Sequence, residues 1–150
     1  MLVKASKVNK VNKVNKVNKV NKVNKVMGNR NFTELEIWQD GKTLAVDVFK
    51  LWQSIDNRGY FALQDQMQRA AVSISSNIAE GSERNTSKDY IRFLYMAKAS
   101  SAELRTQLYI LSEINICAEQ GLLKRLIENS EILSRRIQRL ISVISKGGNK

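Results

Sequence analysis

The 150-residue chain has no histidine, no proline and a single cysteine. Lack of histidine removes the usual proton shuttle near neutral pH and the commonest metal ligand. Cys117, alone in the apolar stretch "EINICAEQ", has no partner for a CxxC pair or a disulfide framework. It reads as a small buried hydrophobe of a reducing compartment. No run of about 18 apolar residues is present, and the N-terminus lacks the apolar core of about 7 to 15 residues that a signal peptide carries. A cytoplasmic, soluble protein without membrane contact is expected.

What is present in excess is positive charge, 25 Lys plus Arg against 14 Asp plus Glu, and it is unevenly placed. Eight lysines and no acid precede Met27, so this arm carries +8 of the net +11. The remainder has 17 basic against 14 acidic residues, a net +3. That is a nearly balanced body with a basic arm. The arm is six complete Lys-Val-Asn repeats from Lys7, with a seventh ending in Met27. A period of three matches neither strand nor helix, so in a helix the valines would drift by about 60° per repeat. Disorder over residues 1–31 is the expectation. The arm has two readings. One is a phosphate-neutralising segment whose grip weakens with salt. The other is an in-frame expansion of a short DNA repeat, with Met27 as the working start, and the perfection of the repeat favours it.

From Thr33 onward the spacing is helical. Thr33 and Glu36 have capping-box spacing and Phe32 can staple onto Ile37, which predicts a first helix from Thr33. It carries Trp38, Leu44, Ala45, Val48, Leu51, Trp52 and Ile55, and ends near Ser54 or Asp56. "DNRGY" predicts a turn with Gly59 left-handed. A second helix starts near Phe61 with Leu63, Met67, Ala70, Ile74 and Ile78 on one side, and Gly81 to Thr86 reads as its break. Thr86 or Ser87 then caps a third helix through Tyr90, Phe93, Leu94, Ala97, Leu104, Leu108, Leu111 and Ile114. A fourth, from about Glu119 to Ser145, places Leu122, Leu126, Leu133, Ile137, Leu140 and Ile144 on a heptad-like seam. Four apolar-striped helices with short links predict an all-α, antiparallel up-down four-helix bundle over residues 32–146, with a short tail at 147–150.

One stretch does not read as an ordinary surface helix. In "RAAVSISSNIAEGSER" the groups Arg69, Ser73, Asn77, Glu80 and Arg84 recur every three or four residues. On a wheel they fall within about 80° of one another and border the apolar seam. At such an edge Arg and Glu need partners, because an unpaired buried charge is costly. The row can be a solvated face, a polar network at a helix or subunit interface, or a phosphate-contacting surface; the interface reading is preferred.

These same residues carry a family resemblance. "FTELEIW" and "QMQRAAVSISSNIAEGSERNTSKDYIRFLYMAKASSAEL" closely resemble the four-helix bundle family of proteins encoded by intervening sequences in bacterial 23S ribosomal RNA genes. The match covers about residues 32 to 144 and rests on Arg69, Ala70, Ser73, Ile74, Asn77, Ile78, Ala79, Glu80, Gly81, Arg84, Tyr90, Phe93, Leu94, Ala97, Ser100, Glu103 and Leu104. Ser75 stands where family members often have proline, which predicts a straighter helix; the Lys-Val-Asn arm has no counterpart. The resemblance implies a homo-oligomer, commonly a pentamer, without enzymatic activity. It extends to the accessory variability protein of diversity-generating retroelements, which partners a reverse transcriptase and nucleic acid.

Two functions therefore stand as expectations: a non-catalytic oligomeric protein that associates with nucleic acid, RNA first, or a protein-interaction scaffold such as an accessory subunit of a reverse transcriptase. For the first, Lys124, Arg125, Arg135, Arg136 and Arg139 on the fourth helix are candidate phosphate contacts, although Glu128 and Glu131 accompany them. Stacking by aromatics is not evident, so contact would be mainly with phosphates. An enzyme is not expected, nor any cofactor or metal. Glu80, Glu103 and Glu113 are the only acids near motif positions, and no paired base, nucleophile or phosphate-cradling glycine loop accompanies them. Glu103 is instead expected to pair with Arg69 or Arg84 across helices, so that loss of Glu103 or Arg69 would weaken folding or assembly.

Overall fold

The computed structural model describes residues 31–56 and 58–147; the Lys-Val-Asn arm and the last three residues lie outside them. A 3-10 turn over Phe32–Glu34 leads into α1 (Glu36–Gln53), α2 (Phe61–Ser82), α3 (Ser87–Ile114) and α4 (Gln120–Gly147). Links this short turn the chain back on itself, so consecutive helices are antiparallel neighbours. Each helix packs on the next and α4 closes on α1, which makes the expected up-down four-helix bundle. The 28 residues of α3 and of α4 span about 42 Å each.

The aliphatic stripes meet in one core. Met67, Ala70, Ile74 and Ile78 of α2 are buried with Leu94, Ala97, Leu104, Leu108 and Leu111 of α3. Burial of each large side chain contributes about 1.5–3 kcal/mol relative to exposure. Three local signals act as the sequence suggests. Gly59 has φ +88°, the left-handed position of the α1–α2 link. Thr86 caps α3 by accepting from the Asp89 amide at 3.1 Å, and its hydroxyl donates to Asp89 at 2.7 Å. Asn115, at φ 53°, ends α3.

Elsewhere the structure departs from the sequence reading. Thr33 is not the cap of α1: Asn31 caps the 3-10 turn, Leu35 is the extended residue, and α1 starts at Glu36. Phe32 packs edge-on to Trp38, with ring centroids 5.2 Å apart, so the aromatic pair anchors the entry to α1. In α4 the buried register is Leu123, Leu126, Ser130, Leu133, Ser134, Ile137, Ile141 and Ile144, while Leu122 and Leu140 are half-buried. Sequence spacing alone skips from Leu126 to Leu133; in the bundle Ser130 fills that step. The Ser101 hydroxyl donates to the Ser130 carbonyl at 3.0 Å, so two buried serines let α3 and α4 approach closely.

The break after α2 falls at residues 83–86, within the expected stretch, with Gly81 itself in the last turn of the helix. Gly81 is buried, and a Cβ there would lie 2.7 Å from the Phe93 Cβ and 3.0 Å from the Tyr90 ring. The absent side chain admits α3 at this level. Alanine would favour an isolated helix by about 1 kcal/mol, but overpacking of this kind costs about 1–3 kcal/mol. Gly81→Ala is therefore expected to lower the melting temperature; an unchanged or raised value would show that α2 and α3 can separate at no cost.

Candidate functional site

The polar row of α2 divides into a half-buried centre and exposed ends. At the centre, the hydroxyls of Ser73 and of Ser100 on α3 are 2.9 Å apart, and Asn77 Nδ2 donates to the Ser73 carbonyl at 2.8 Å and to its hydroxyl at 3.0 Å. Helical spacing puts Asn77 one turn past Ser73, so a single amide satisfies two acceptors that face α3. At one end, Arg69 Nε donates to Asp65 Oδ2 at 2.8 Å, with the two side chains 74% and 60% exposed. At the other, Arg84 lies just beyond α2, pairs with Glu80 and holds its guanidinium 4.7 Å from the centre of the Phe93 ring. Arg92 lies over the same ring at 5.1 Å.

The expected bridge from Glu103 to Arg69 or Arg84 does not form within the chain. Each arginine has a carboxylate one turn away along its own chain, which needs less side-chain ordering than a cross-helix contact. Glu103 is exposed and accepts from Gln107 at 3.4 Å. Folding should thus depend on the centre of the row and little on Arg69. Asn77→Ala is expected to cost about 1–3 kcal/mol, since it removes two partly buried hydrogen bonds. Arg69→Ala should cost at most about 1 kcal/mol, as for an exposed pair. Equal losses on chemical denaturation would contradict this division.

The five basic residues of α4 do not form one surface. Arg136 reaches back to α1, where it binds Glu36 and Asp40 together. It is a clamp between first and last helices and is not free for phosphate. Lys124 and Arg135 lie 4.0 and 3.7 Å from Glu128 and Glu131 on their own helix. Among the described residues no carboxylate pairs with Arg125 or Arg139. Sequence reasoning could not see that the partners of Arg136 lie about a hundred positions earlier. It also passed over Lys98 and Arg105, which α3 brings to the same groove as Arg135.

Two buried groups have shifted chemistry. Burial raises the Cys117 thiol pKa, in keeping with a small apolar role for this side chain. Burial also pushes the Tyr90 phenol from 10.0 to about 12, and its hydroxyl has no hydrogen-bond partner. The unfolded chain would release this proton near pH 10 while the folded protein holds it, so stability is lost as pH rises from about 10 towards 12. Tyr90→Phe should leave stability at pH 7 unchanged or increased, because it removes an unpaired buried hydroxyl. It should also flatten the alkaline loss seen by thermal melts. A large destabilisation at pH 7 would mean that the hydroxyl has a partner in the assembled protein. Among the described residues no group of three or more acidic or cysteine side chains is placed to hold a metal, and no helix is long and apolar enough to cross a membrane.

Up-down connectivity, a serine-spaced α3 and a half-buried polar row on α2 define a four-helix bundle protein with its distinctive residues at the α2–α3 seam. Residues 33–139 match the family described as 23S rRNA-intervening sequence protein, and the chain belongs to that family. Among solved structures, a protein of unknown function from the S23 ribosomal protein family of Bacteroides thetaiotaomicron is similar at a TM-score of 0.64 and 20% identity. The alignment covers 70% of this chain and 97% of that one, a likeness of fold. No curated protein matches.

Proposed function

We propose that this protein is a non-catalytic, self-associating bundle that works beside nucleic acid in the cytoplasm, with RNA the first expected polymer. The observation that carries the self-association is the outer face of α3. Tyr95, Met96, Tyr109 and Ile110 are each 46–54% exposed there, with Ala99 and Ala102 between them. A helix surface with four exposed large apolar side chains, even with Glu103 and Thr106 among them, is suited to an interaction site. A second copy fits it, because the same chain also offers a groove lined by Phe49, Val72 and Arg69 at the α1–α2 seam. Arg69 of the second face is already paired with Asp65, so packing one face on the other would be mainly apolar. Two different faces meeting head to tail build a ring when the rotation closes, which fits a pentamer.

The nucleic-acid part rests on the family description, which names a 23S rRNA context; of the net charge of +11, +8 lies in the Lys-Val-Asn arm and only +3 in the rest of the chain. Contact is mainly with phosphate, so affinity should fall steeply between about 50 and 200 mM salt. Tyr109→Glu with Ile110→Glu is expected to leave thermal stability nearly unchanged and to yield monomers in sedimentation. Wild-type protein that sediments as a monomer and ignores RNA at low salt would overturn the reading. If that monomer instead co-purified with one host protein, such as a reverse transcriptase, the apolar face of α3 would support the scaffold reading.

A further inference from the structure

The groove between α3 and α4 is lined by Lys98, Arg105, Glu131, Ser134, Arg135 and Gln138 and encloses about 290 Å³. Its charges are not balanced within the groove. Arg135 and Glu131 form their own pair at 3.7 Å, which leaves Lys98 and Arg105 uncompensated. Both are half-buried. Lys98 Nζ donates to Gln138 Oε1 at 2.5 Å, and no carboxylate among the described residues pairs with either cation. By contrast Arg69, Arg84 and Arg136 each hold a carboxylate.

Ser134 supplies an independent sign. Its side chain is only 8% exposed and lines this groove, yet its hydroxyl has no hydrogen-bond partner among the described residues. A serine in a helix ordinarily bonds the carbonyl four residues back, as Ser142 does with Gln138. For Ser134 that carbonyl belongs to Ser130, and Ser101 already donates to it from α3. The Ser134 hydroxyl is left as a donor open to the groove that Lys98 and Arg105 also line.

We propose that this groove is a phosphate subsite, in which Lys98 and Arg105 supply charge and the Ser134 hydroxyl a directed hydrogen bond to one phosphate oxygen. An uncompensated half-buried pair of cations attracts an anion more strongly than cations in open water do, and an anion there relieves the mutual repulsion of Lys98 and Arg105. The phosphate can belong to a nucleic-acid backbone or to a free phosphorylated small molecule. The backbone source rests on the nucleic-acid reading above; the subsite itself does not.

The test uses the full chain. Amide spectra of the unmutated protein are recorded with inorganic phosphate and, separately, with a short single-stranded RNA. Shifts centred on residues around Lys98, Arg105 and Ser134 are expected in both. RNA affinity is then measured against salt. Lys98→Gln with Arg105→Gln should reduce the slope of log affinity against log salt by about 1.4, for two phosphate contacts on a single strand. Ser134→Ala should weaken binding about two- to tenfold, as for one hydrogen bond. Arg58→Gln, outside the groove and already paired with Asp56, serves as the control variant. Shifts with inorganic phosphate that RNA does not compete for would assign the groove to a small phosphorylated molecule and leave the nucleic-acid reading to stand or fall separately. RNA binding undiminished in the groove variants, with no shifts there from either probe, would overturn the subsite while sparing the broader reading. Absence of response to both probes in the unmutated protein would overturn both.

Discussion

The bundle depends on how closely α3 approaches both of its neighbours. Helix separation is set by the side chains at the contact, and here those side chains are small. Gly81 admits Tyr90 and Phe93, Ser73 meets Ser100, and Ser101 meets the backbone at Ser130. Close approach brings hydroxyls into low dielectric, where an unmet donor or acceptor is costly. The serine hydroxyls at the crossings are met, unlike that of Tyr90, and in being met they fix the register of α2, α3 and α4. A slide by one turn would cost several hydrogen bonds together with the apolar fit.

Register then decides what the charges can do. Some cations find a carboxylate one turn along their own helix, as Arg69 does, and are already neutralised at the surface. Arg136 is different in kind: it joins α4 to two acids of α1 and closes the bundle. Lys98 and Arg105 are different again. They line a groove beside the close crossing at Ser101 and Ser130, half-buried and without carboxylate partners among the described residues, because Lys98 meets Gln138 and the Glu131 of the same groove pairs with Arg135. Positive residues that look alike in sequence thus fall into separate physical roles.

The third helix is two-sided, which explains why its function was harder to read than its fold. Leu94, Ala97, Leu104 and Leu108 face the core, but Tyr95, Met96, Tyr109 and Ile110 face outward and are large and apolar as well. The heptad-like spacing picks out a core stripe and gives no reason to separate the second apolar row from it. Only exposure, known once α2 and α4 are in place, distinguishes packing within a chain from a surface suited to another molecule. The same holds for Gly81, which in one dimension resembles a helix stop and in three is a contact point.

By itself the sequence determined the helical class, the number of helices, their links to within a few residues, and the family, because apolar periodicity and the α2 motif are local properties of the chain. It also singled out Ser73 and Asn77 as groups that border the core. Tertiary structure alone decided the partners: Arg69 with Asp65 and not Glu103, Arg136 with Glu36 and Asp40. The physical reason is that burial and pairing depend on distances between helices, and those are fixed by packing at small residues far apart in the chain.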